Sequence, residues 1–101
     1  MRIDILYIAG CPNHPATTQA VRELVQSLAA DAEVREIEVK DAAEATQLRF
    51  LGSPTVQIDG ADIDTAARKR TDHSFSCRRY GGGVAPLREL IESAVRERLG
   101  A

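Results

Sequence analysis

Ile3-Asp4-Ile5-Leu6-Tyr7-Ile8-Ala9-Gly10-Cys11-Pro12-Asn13-His14-Pro15 is the stretch whose reading decides the fold. Its first part, Ile3 to Ala9, is a nearly continuous apolar run that reads as a strand buried on both faces. The run stops at Gly10. Two prolines then follow, at 12 and 15, and neither can sit mid-helix. The first turn accepts them because its amides lack partners there in any case. Val21, Leu24, Val25 and Leu28 come next at i, i+3, i+4 and i+7, one face of a helix. The helix therefore begins somewhere in residues 11 to 15, with Cys11 or Asn13 as its cap.

Beyond this unit, residues 34 to 39 end in an alternation of Ile37 and Val39 with Glu36 and Glu38, which suits a half-exposed strand at a sheet edge. Strand, helix and strand make a βαβ unit, so the two strands are expected to be parallel. Asp41 is placed to cap a short helix carrying Ala45, Leu48 and Leu51, ended by Gly52. Ser53-Pro54 breaks the chain. Thr55 to Ile58 reads as a strand, Asp59-Gly60 as a two-residue hairpin turn, and Ala61 to Asp64 as the returning strand. A last helix opens at Pro86, with Leu87, Leu90, Ile91, Ala94 and Val95 on one face. Between hairpin and last helix, residues 65 to 85 form an irregular loop longer than the usual limit of about 12–15 residues. Ile5, Tyr7, Val25, Val56, Leu90 and Ile91 are expected in the core.

The chain has 101 residues, room for a single domain, residues 1 to 101. With 44% hydrophobic residues and only 4% aromatic, aliphatic side chains must do the packing. Thirteen basic residues against 15 acidic ones give a net charge of -2, which argues against a nucleic-acid partner. No run approaches the ~18 apolar residues of a membrane span. The N-terminus lacks the long apolar region and cleavage site of a secretory signal, so a cytoplasmic protein without a membrane partner is expected. In that compartment two cysteines are not expected to form a structural staple.

The order β-α-β-α-β-β-α, with Ala9-Gly10-Cys11-Pro12-Asn13-His14 at the first strand-to-helix junction and Gly52-Ser53-Pro54-Thr55-Val56 before the third strand, resembles the thioredoxin-like superfamily in its minimal glutaredoxin-like form. The resemblance spans the chain except for the 65 to 85 loop. It implies an α/β fold, a four-stranded mixed sheet flanked by helices. It also implies a cis proline at Pro54 beside the reactive cysteine, with Ser53, Pro54 and Thr55 shaping the substrate groove and Ser53 offering backbone groups to an extended thiol substrate. The chain departs from the usual Cys-x-x-Cys in carrying His14 at the second position, which leaves a single-cysteine motif such as is also found in monothiol members.

The reactive form of cysteine is the thiolate, and the unpaired amides and partial positive charge of a helix N-terminus stabilise it. Cys11 is therefore the candidate nucleophile and His14, one turn on, a candidate proton partner. If the third strand begins beside Cys11, as the resemblance requires, it runs away from that end of the sheet and the fourth strand returns to it. Cys77, in the loop that follows, then lies at the same end and is expected to resolve the intermediate. Arg78 and Arg79 would favour its thiolate and hold an anionic substrate such as a glutathione carboxylate. The substrate is a thiol or disulfide, of glutathione or of a protein, and no cofactor is expected. Two other readings use the same residues. Cys11-x-x-His14 and His73-x-x-x-Cys77 are compatible with tetrahedral zinc, or with copper(I), in a metal-binding or sensing module. A redox-inactive adaptor would use the basic loop, Arg68-Lys69-Arg70 included, as a docking surface.

Overall fold

The computed structural model describes residues 1–28, 31–76, 78 and 88–100. The apolar run at the N-terminus forms β1 (Arg2–Tyr7), a strand with both faces covered. Its alternation sorts side chains by face. Ile3 and Ile5 meet Val21 and Leu24 of α1 (His14–Ser27) and Ile91, Ala94 and Val95 of α3 (Arg88–Arg98) in the larger apolar cluster. Leu6 points the other way, into a second cluster with Val39, Ala45 and Phe50. Tyr7, Val25 and Leu90, expected in the core, are half-buried, the latter two packed against the larger cluster. Phe50, not singled out from the sequence, is a fully buried core side chain.

The sheet runs β2-β1-β3-β4. β2 (Glu33–Glu38) pairs parallel with β1 and takes one edge, as the alternation of residues 34 to 39 requires. β3 (Thr55–Ile58) pairs antiparallel with the other side of β1. Asp59 and Gly60, both at positive φ (49° and 86°), turn the chain into β4 (Ala61–Asp62). This is the backbone that a two-residue turn between twisted strands needs. The result is an α/β domain with a four-stranded mixed sheet. Among the described residues, no helix is long and apolar enough to cross a membrane.

The cap of α1 falls on one of the two residues left open by the sequence, and the ends of α2 and β4 differ from the sequence reading for local reasons. Asn13 takes the cap position of α1, leaving Cys11 in the turn before it. The short helix α2 (Ala42–Gln47) is capped by Asp41, whose side chain accepts from the Glu44 amide, but it ends before Gly52. Arg49 enters the left-handed region at φ 57°, its amide donates to Thr46, and the Phe50 amide donates to Ala45, which closes the helix in a Schellman motif. β4 stops at Asp62 because the Asp62 and Asp64 carboxylates each accept an amide two residues on, which starts a 3-10 turn over Thr65–Lys69. Part of the segment expected to be irregular is therefore ordered. Residues 77 and 79–87 lie outside the described residues, and with them the expectations for Cys77, Arg79, Pro86 and Leu87.

Across the α2 face, one register row is polar: Arg35 on β2, Asp4 on β1, Gln57 on β3 and Asp62 on β4. Asp4 interrupts the apolar run yet is 4% exposed. The Arg35 guanidinium donates to both its oxygens, at 2.8 and 3.2 Å, which makes burial of the charge tolerable. Gln57 donates its amide to the Leu48 and Arg49 carbonyls at the end of α2. The lower half of this face is thus held by hydrogen bonds and the upper half by the Phe50 cluster.

Candidate functional site

Cys11 sits between the end of β1 and the start of α1, where Gly10 takes φ 81° so that the chain can turn. The Cys11 amide donates to the Ile8 carbonyl at 3.2 Å, and its own carbonyl accepts from the His14 amide at 3.4 Å. The residue is half-buried and its thiol is free.

Ser53 meets this turn from the other side. Its hydroxyl oxygen accepts from the Ile8 amide at 3.2 Å, so Ile8 is bonded through its carbonyl to Cys11 and through its amide to Ser53. Ser53 is 1% exposed, and its peptide bond to Pro54 is cis. Thr55 follows at the start of β3, its hydroxyl donating to the Gly52 carbonyl at 2.6 Å.

The backbone of Ser53 is also engaged. Its amide donates to the Ser76 carbonyl at 2.7 Å and its carbonyl accepts from the Arg78 amide at 3.1 Å. Upstream, the Ser74 amide donates to the Phe50 carbonyl at 3.1 Å. Ser74, Ser76 and Arg78 therefore follow residues 50 to 53 in the same direction. Gly52 permits this approach. A Cβ there would stand 2.8–3.0 Å from the Cβ, amide nitrogen and Cα of Arg78, and φ is 117°.

Arg78, expected to hold an anionic substrate, instead points into the protein. It is 4% exposed and grips Asp62 with two hydrogen bonds, Nη1 to Oδ2 at 2.6 Å and Nη2 to Oδ1 at 3.0 Å. Asp62 belongs to the polar row, so the ion pair fastens Arg78 to β4. From the sequence, Asp62 reads only as part of the returning strand.

His14 is held on the α1 face of the sheet. Its ring stacks on Tyr7, centroids 3.6 Å apart and planes within 4°. Its Nε2 lies 2.6 Å from Glu36 Oε1, which also accepts from the Thr18 hydroxyl at 3.1 Å. In the tautomer that donates from Nε2 to this carboxylate, the ring lone pair is on Nδ1. Glu36 and Tyr7 were not marked from sequence as partners of His14. Glu36 reads there as the exposed half of an alternating strand.

His73 lies on the opposite side of the sheet. It lines a cavity of about 250 Å³ together with Arg49, Arg68, Arg70, Gln57 and Asp62. His14 and His73 are thus not brought together, and among the described residues no group of three His, Cys, Asp or Glu is arranged to hold a metal ion. Arg70 in the same region chelates Asp72 at 2.9 and 2.6 Å, and these bonds hold the Asp72 carboxyl down at about 2.

No protein-family model, no curated protein and no solved structure matches the chain.

Proposed function

We propose that the chain is a thioredoxin-like thiol-disulfide redox protein with Cys11 as its nucleophile. The observation that carries this reading is the double tie at Ile8, which sets the Cys11 turn directly beside Ser53 and Pro54. Cysteine, helix start and pre-strand proline thereby share one end of the sheet. The strand order, with one parallel and two antiparallel pairings, is compatible with the thioredoxin-like arrangement.

The Cys11 thiolate attacks one sulfur of a substrate disulfide, forming a mixed disulfide and releasing the other half as a thiolate. A second thiolate then attacks Cys11 Sγ, releasing the substrate's remaining sulfur as a thiolate. Two electrons pass from the protein's thiols to the substrate. Cys77 is the proposed second thiol. Ser76 and Arg78, its neighbours in sequence, are both bonded to Ser53, which supports that role. His14, oriented by Glu36 and Tyr7, is the proposed proton partner through Nδ1.

Intact mass spectrometry after treatment of the reduced protein with oxidised glutathione tests the reading. The wild type is expected to lose two hydrogens as a Cys11–Cys77 disulfide, Cys77→Ser to keep one glutathione on Cys11, and Cys11→Ser to be unmodified at position 11. A wild type that keeps both thiols free would leave a redox-inactive adaptor as the better reading.

A further inference from the structure

Resting on that redox reading, we infer that Cys11 serves compact disulfides, not disulfides carried on an extended polypeptide, because the chain already occupies the backbone edge of Ser53. An extended peptide gains affinity at such an edge by exchanging main-chain hydrogen bonds with it. The edge nearest the Cys11 turn is Ser53, joined to it through Ile8. Both of its main-chain groups are taken, the amide by Ser76 and the carbonyl by Arg78.

This occupancy is built in at three levels. Ser74 is bonded to Phe50, whose side chain is part of the core. Gly52 lets the Arg78 backbone approach closer than any side chain would allow. The Arg78 guanidinium is buried with Asp62. A peptide entering here must break two main-chain bonds to make two, and must also draw Arg78 away from a carboxylate that would stay buried and unpaired. A small disulfide needs none of these exchanges. It has only to bring one sulfur to Cys11, so the occupied edge costs it nothing.

Two probes with the same leaving group isolate the effect: hydroxyethyl disulfide, and a short peptide whose single cysteine is held as a mixed disulfide with 2-mercaptoethanol. Reaction at Cys11 is followed by mass under identical conditions, and amide hydrogen exchange reports the state of Ser53 and Arg78. The small disulfide is expected to react about tenfold faster or more, the worth of one lost main-chain bond. Asp62→Asn, which removes the charge that anchors Arg78, is expected to speed the peptide while leaving the small probe unchanged. In the wild type the Ser53 and Arg78 amides are expected to be protected. Equal rates for the two probes, or an unprotected Ser53 amide, would overturn the inference and leave the redox reading standing. The exchange measurement decides even if Asp62→Asn fails to fold. Failure of both probes to modify Cys11 would overturn the redox reading itself.

Discussion

Gly52→Ala is the substitution by which the packing around Ser53 can be weighed. The new methyl group meets two separate penalties. The backbone at φ 117° is one that L side chains avoid, at a cost of about 1–3 kcal/mol. The methyl would also stand 2.8–3.0 Å from three Arg78 atoms, two of them backbone, and overpacking of this kind costs about 1–3 kcal/mol. Together they amount to about 2–6 kcal/mol, a large part of the ~5–15 kcal/mol that holds a domain of this size folded. Gly60→Ala supplies the control. Its φ is 86° and nothing lies within 4 Å of a built Cβ, so it carries the backbone penalty alone, about 1–2 kcal/mol. Urea unfolding of both variants, followed by circular dichroism, separates the two terms. The Gly52 variant is expected to lose at least ~1 kcal/mol more than the Gly60 variant. Faster exchange of the Ser53 and Arg78 amides, with Phe50 still protected, would show the strain relieved by withdrawal of Ser76 and Arg78. Equal losses within ~0.5 kcal/mol would refute the close approach of Arg78 to Gly52.

Phe50→Ala empties a fully buried site between Leu6, Val39 and Ala45 and is expected to cost about 3–5 kcal/mol in the same unfolding assay, because α2 is too short to collapse into the space. The Asp72 carboxyl, titrated by carbon-detected NMR, is expected at about 2, below its ordinary 3.8, and Arg70→Ala should return it to the ordinary range. Because the folded value is the lower one, the Asp72–Arg70 pair helps stability above about pH 4 and loses that contribution as pH falls toward 2. An unchanged titration in Arg70→Ala would show that the guanidinium is not what depresses the group.

Elements with their own periodicity or turn chemistry were legible in the sequence. Thr55 to Ile58 is the third strand to the residue, and Asp59-Gly60 is its hairpin turn. Asp41 caps α2, and Ile91, Ala94 and Val95 bury one face of α3. Misplaced boundaries had causes that no local pattern carries. Arg49 in the left-handed region ends α2 where a glycine three residues later seemed to, because Phe50 gains a core position by that turn. Asp62 and Asp64 cut β4 short by capturing nearby amides, a competition visible only once their side chains are placed.

The candidate site was legible by place more than by partnership. Cys11, Ser53 and Pro54 could be set at one end of the sheet because each lies at an element boundary and the resemblance implies that the pre-strand proline stands beside the cysteine. Their partners are brought up only by tertiary packing, Ile8 to Ser53 across 45 positions, so neither Glu36 beside His14 nor Asp62 beside Arg78 announces itself.

 His14 and Glu36 stand 22 residues apart and Arg78 and Asp62 stand 16 apart, both beyond the reach of any local motif.

Ser53 is where these separate contacts become one device. Its hydroxyl serves the Cys11 side through Ile8, while its amide and carbonyl serve Ser76 and Arg78. An unbroken path of hydrogen bonds therefore leads from Asp62 through Arg78, Ser53 and Ile8 to Cys11. Proximity along a path is not in itself energetic coupling. Ser53 serves its two neighbours with separate groups, the hydroxyl for Ile8 and the main chain for Ser76 and Arg78, so the two sides can be perturbed separately. The occupancy of the Ser53 edge is consequently set by β4 and the far loop, through a clasp fastened by Asp62, on the strand farthest from β2.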